Sequence, residues 1–129
     1  MSARTEYTEK LAEIILWVRD NCDGYRLAIA EAGIINPRPM RSGRMSARDV
    51  SKAWDGVHKP GSFHYKFLAC DLDLFDPDGT YITDGDHPVW KDIAVRWESM
   101  HELATSGRAF MDSNHLSWGE RDKSVPLPA

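Results

Sequence analysis

Apolar residues recur at intervals of three and four near the start of the chain. Leu11, Ile14, Ile15, Val18 and Cys22 fall on one stripe, the spacing of a helix that buries one face. Thr5 or Thr8 supplies a capping hydroxyl, and Asp23-Gly24 punctuates the end of that helix near Asn21. The period then changes to two: Tyr25, Leu27 and Ile29 alternate with Arg26, Ala28 and Ala30, which predicts a strand ending near Gly33. Residues 67–75 alternate again, with Phe67, Ala69, Asp71 and Asp73 on one face and Leu68, Cys70, Leu72 and Leu74 on the other. Asp76-Pro77-Asp78-Gly79 has the composition of a turn, after which residues 80–83 can pair back as a hairpin strand. Pro88 opens the clearest helix, whose stripe runs through Trp90, Ile93, Ala94, Trp97, Met100, His101 and Ala104 until Ser106-Gly107 closes it. Residues 108–111 and 115–118 read as short strands around a turn at Asp112-Ser113-Asn114.

Between the first two strands the pattern lapses. Residues 34–45 carry two prolines, a glycine and three arginines and read as a long loop, which in a small domain is mobile or functional. Ser46 caps a short helix through Trp54, ended by Asp55-Gly56, so residues 33–58 form a basic loop and short helix. Residues 123–129, with two prolines, make a loose tail. No repeat or linker interrupts residues 1–129, and the expectation is one α+β domain with a small antiparallel sheet and flanking helices.

Composition narrows the function classes. At 129 residues the chain is long enough for one core without staples, and no apolar run approaches the ~20 residues that span a bilayer. Only Cys22 and Cys70 are present, so no disulfide framework is expected. The first residues are charged and helix-patterned and do not resemble a secretory signal, so synthesis in the cytoplasm is expected. The net charge of −4 hides an asymmetry. Residues 1–60 carry ten basic and eight acidic residues, whereas residues 61–129 carry six and twelve. Arg38, Arg41, Arg44, Arg48, Lys52 and Lys59 crowd the basic loop, and six aspartates fall between Asp71 and Asp86. Two solvated segments explain this most simply; a cleft with charged rims is the alternative. No aromatic platform is interleaved with the basic stretch, so nucleic-acid binding is not expected.

Of five histidines, His101 lies on the core stripe of a helix and His87 precedes Pro88 at a helix start, both structural positions, while His58 has no evident partner. His64 and His115 differ because of their neighbours. Asp71 interrupts an apolar strand, where a carboxylate is costly unless paired or bound to metal. His64 precedes it by seven residues. On a continuous strand that odd offset points the two side chains to opposite faces, and on a helix it separates them by about 10 Å, so only a bend brings both to one ion. Asp112 and His115 form a compact Asp-x-x-His unit. Two imidazoles and a carboxylate make a three-ligand zinc site with an open fourth position, beside which Asp112 can take a proton from water.

Ser62-x-His64, Ala69-x-Asp71 and Asp112-x-x-His115 together resemble the zinc peptidases of the bacterial cell wall: the D-Ala-D-Ala carboxypeptidases and dipeptidases and the L-alanyl-D-glutamate endolysins of phages, on the hedgehog-like zinc scaffold. The similarity covers roughly residues 8–120. It implies that His64, Asp71 and His115 hold one zinc ion on the sheet, that Asp112 is the general base, and that Ser62 supports the metal histidine or contacts substrate. Phe67 stands where that family usually has glycine, and Ile34 stands where its oxyanion-stabilising arginine is expected. Arg38, Arg41 or Arg44 is then the substitute, a replacement worth about 3 kcal/mol of barrier.

The implied activity is metal-assisted hydrolysis of an amide bond in the stem peptide of peptidoglycan, L-Ala–D-Glu or D-Ala–D-Ala. The basic loop would meet the peptide's carboxylates, and Trp118 and Trp54 would line its groove. A monomer is expected, reaching the wall by a phage lysis route and not by membrane association. The alternative is a non-catalytic zinc module on the same scaffold that binds a partner or a cell-wall ligand. The acidic segment does not fit an EF-hand, because placing Gly79 at the sixth loop position puts Leu74 at the first ligand, so Ca2+ enters only as a modulator.

Overall fold

A computed structural model describes residues 2–31 and 68–119 of the chain. The elements are helix α1 (Ala3–Asn21), strand β1 (Arg26–Glu31), strand β2 (Ala69–Phe75), helix α2 (Pro88–Met100), strand β3 (Ala104–Ser106), a 3-10 turn (Gly107–Phe110) and strand β4 (His115–Trp118). The fold is α+β. The strands form one open antiparallel sheet in the order β1-β2-β4-β3, so the two strands distant in sequence, β2 and β4, lie side by side at its centre.

Both helices cover one face of this sheet. Tyr7, Leu11, Ile14 and Val18 of α1 meet Trp90, Ile93 and Trp97 of α2 and the Cys70, Leu72, Leu74, Leu116 and Trp118 side chains of the sheet in one core. Two polar groups in this core reach backbone partners: Tyr7 Oη donates to the Leu116 carbonyl at 3.2 Å and Trp97 Nε1 to that of Thr105 at 3.0 Å. Each ties a helix to the sheet while satisfying a donor that would be expensive to bury alone. The rings of Tyr7, Trp97 and Trp118 meet with centroids about 6 Å apart. Among the described residues no helix is long and apolar enough to cross a membrane.

Several boundaries differ from the sequence pattern for local reasons. Helix α1 begins earlier than Thr5 or Thr8, because the Ser2 hydroxyl accepts the Thr5 N–H at 3.2 Å, while Thr8 bonds back to the Arg4 carbonyl. Its end is as expected: Asp23 and Gly24 take positive φ, and Gly24 lies against Pro77. Helix α2 stops at Met100 and does not continue to Ala104. His101 is extended, its Nδ1 accepts the Leu103 N–H at 3.0 Å, and Ala104–Ser106 pairs with β4. The sheet edge outcompetes another helical turn because Ala104 and Ser106 are buried there. Residues 108–111 do not form a strand; the 3-10 turn ends at Met111 in the left-handed region, φ 58°. Residues 80–83 pair with β2 only through a Tyr81–Phe75 bridge, because Asp76 Oδ1 accepts the N–H groups of Asp78 and Thr80 and curls the chain away. The loop 34–45, the helix 46–54 and the tail lie outside the described residues.

Trp97 is fully buried and is the largest side chain at the junction of the two helices with the sheet. Trp97→Ala is expected to cost about 3–5 kcal/mol, read as a lower urea midpoint at unchanged slope.

Candidate metal centre

The centre of the sheet sets the site. Leu72 N–H bonds to the Asn114 carbonyl and Trp118 N–H to that of Leu68, so these opposed residues are the hydrogen-bonded pairs of the β2–β4 ladder. Asp71 and His115, which are register partners between them, therefore form a non-hydrogen-bonded pair, the arrangement in which facing side chains stand closest. They share the face of the sheet opposite the helices, since Cys70, Leu72 and Leu116 point into the core. His115 Nδ1 lies 3.2 Å from Asp71 Oδ1.

Asp112 joins them through a turn. The His115 N–H donates to the Asp112 carbonyl at 3.2 Å, and the Asp112 N–H donates to the Gly107 carbonyl at 2.9 Å. This folds the Asp-x-x-His unit so that Asp112 Oδ2 comes to 4.0 Å from His115 Nδ1. Burial is graded across the group: the side chains of His115, Asp71 and Asp112 are 9%, 22% and 52% exposed. The carboxylate with the most access to water is thus Asp112.

The donor atoms of Asp71, Asp112 and His115 all lie within 4.8 Å of one another, a group that can hold a metal ion. Bonds of about 2.0–2.1 Å at a tetrahedral ion place ligand atoms roughly 3.3 Å apart. The His115–Asp71 separation of 3.2 Å fits that edge, whereas Asp112 at 4.0 Å is looser. The same 3.2 Å is a hydrogen-bond length when Nδ1 carries its proton. One imidazole with carboxylates suits zinc and other first-row divalent ions, and the donor set alone does not name the metal.

The remaining expected residues are distributed unevenly. Ser62, His64, Arg38, Arg41, Arg44 and Trp54 lie outside the described residues. Trp118 is in the core and not on an open wall: it is 3% exposed, its ring stacked on His101 at 4.4 Å and set edgewise against Tyr7. Alternation explains this placement, since residue 118 falls on the opposite face from residue 115. His87 caps α2, its Nδ1 accepting the Val89 N–H at 3.2 Å. Cys22 and Cys70 are free and buried, and burial pushes the Cys22 thiol up, away from thiolate chemistry. Among the described residues the acidic segment assembles no further group of three metal-ligating side chains, and the carboxylates of Asp76 and Asp84 cap their own loops.

Two contributors carry no signal in the sequence pattern. Gly107 reads there as a helix stop, yet a Cβ at this position would collide with the Asp112 carbonyl and approach the His115 Cβ to 2.8 Å. Ser113 donates its hydroxyl to the Gly85 carbonyl and so anchors the Asp112 turn to the loop before α2. Neither contact is periodic, and only the assembled fold brings the partners together. No family model matches the chain, and no curated protein is significantly similar to it.

Because the obstacle at Gly107 is backbone, Gly107→Ala has to displace the Asp112–His115 turn. The expected result is a loss of about 1–3 kcal/mol in stability, with weaker binding of added Zn2+ by isothermal titration. Ser113→Ala, which releases the turn without a clash, should show a smaller effect in the same direction.

Proposed function

We propose that this protein is a zinc-dependent peptidase that hydrolyses an amide bond in the stem peptide of bacterial peptidoglycan. The observation that supports this reading is the meeting of Asp71, Asp112 and His115, from β2 and from the turn into β4, with ligand atoms within 4.8 Å. These are the described members of the set to which the motif resemblance gives metal and base roles. Asp71 and His115 would hold the ion with His64, and Ser62 would support that histidine. When bound, zinc supplies Lewis acidity and lowers the pKa of a coordinated water toward ~7. Asp112, the most exposed carboxylate of the three, takes a proton from the attacking water and returns it to the leaving amine. Basic side chains of the stretch 38–52, Arg38, Arg41 and Arg44 foremost, would meet the carboxylates of the peptide and the developing oxyanion. Release to the wall through phage lysis belongs to the same reading.

One residue favours a second reading. Ile34 occupies the position where the resembled family has its oxyanion arginine, and a chain without that donor suits a zinc module that binds cell-wall ligands without cutting them.

Digestion of purified peptidoglycan with and without chelator, followed by mass analysis of the fragments, separates these readings. The expected result is stem-peptide cleavage that chelator abolishes and zinc restores. Asp112→Ala should keep its zinc and lose about 10²–10⁴-fold in rate, whereas His115→Ala should lose the metal. Zinc retention with no cleavage by the unaltered chain would establish the binding module. Absence of stoichiometric zinc would overturn both.

A further inference from the structure

A cavity of about 260 Å³ opens beside Asp112, between the loop 81–85 and the turn 111–114. It is smaller than the roughly 300–1,000 Å³ of sites that enclose a whole small molecule, so it suits one long side chain of a larger ligand. Its walls combine three chemistries. Ile82 and Met111 offer apolar surface, Tyr81 an aromatic ring, and Asp112 a carboxylate with the Asn114 amide beside it. No Lys, Arg or His is among the described residues that line it.

Two of these residues are placed in a way that core packing does not explain. Met111 is 92% exposed and sits in the left-handed region at φ 58°, where a side chain other than glycine or asparagine is disfavoured. Tyr81 is 51% exposed, its ring tilted against Phe75 at 5.7 Å. The Ser113–Gly85 hydrogen bond joins the two walls, so the cavity keeps its shape without a ligand.

We infer that this cavity is a specificity pocket for an ammonium-bearing aliphatic side chain of a peptide, such as that of a lysine-like diamino acid, next to the bond under attack. The inference deepens the peptidase reading and rests on it for the position of the peptide. The aliphatic stem lies along Met111 and Ile82, while the ammonium takes the face of Tyr81 and the negative potential of Asp112. A carboxylate-bearing side chain is rejected by the same lining, which sends the acidic residues of a peptide toward the basic stretch instead.

Amide chemical-shift titration of the full-length chain tests this without requiring turnover. The probes are the N-acetyl methylamides of lysine, norleucine and glutamate. The lysine probe should shift the signals of Gly85, Ser113 and Asn114 and the indole of Trp90. Norleucine, with the stem but no ammonium, should bind at least about fivefold more weakly, and glutamate should not bind. Tyr81→Leu, a change at an exposed position, should reduce the preference for lysine over norleucine by about two- to fivefold. Equal binding of lysine and norleucine, or shifts remote from these residues, would overturn the pocket. Peptidoglycan cleavage together with that outcome removes the pocket and leaves the peptidase reading. Lysine-selective shifts in a chain that does not cleave keep the pocket and remove the catalysis.

Discussion

The pairing of β2 with β4 fixes most of what is specific about this molecule. Its register sets Asp71 opposite His115 at a non-hydrogen-bonded position, so an imidazole and a carboxylate from distant parts of the chain face each other at 3.2 Å. A shift of one residue would turn His115 toward the helices and Leu116 away from them. The register is held from the other face, where Cys70, Leu72, Leu116 and Trp118 fill the core under Tyr7 and Trp97. Hydrophobic burial on one side of the sheet thereby positions polar chemistry on the other.

The short turn from Gly107 to His115 extends this arrangement. Close backbone approach at Gly107 and the Asp112–His115 hydrogen bond fold Asp112 over the pair without a helix or strand to carry it. A turn tethered at Gly107, Ser113 and the start of β4 restricts the carboxylate while leaving it open to water. That combination suits a proton acceptor better than a buried structural ligand does. The cavity beside it places a candidate recognition surface on the same turn.

Much of the architecture was legible because local pattern and tertiary burial agree. The stripe Leu11, Ile14 and Val18, the alternation of β2 and the Pro88 helix start each follow from periods of 3.6 and 2 that the core rewards directly. Where they disagree, the pattern misleads. Ala104 continues the apolar stripe of α2, yet it belongs to a sheet edge, because pairing with Trp118 satisfies its backbone and buries it. Trp118 likewise looked like a groove residue by its nearness to His115, and alternation put it on the opposite face.

By itself the sequence determined the fold class, the helices and the residue types able to bind a metal, since periodicity and composition are local properties of the chain. It also distinguished Asp71, because a carboxylate within an apolar strand demands a partner. The identity of that partner was a tertiary matter. Forty-four residues separate Asp71 from His115, and no short-range rule sets which strands become neighbours or in what register. Only the closed sheet, with its helices on one face, decided that Asp71, Asp112 and His115 converge on the other.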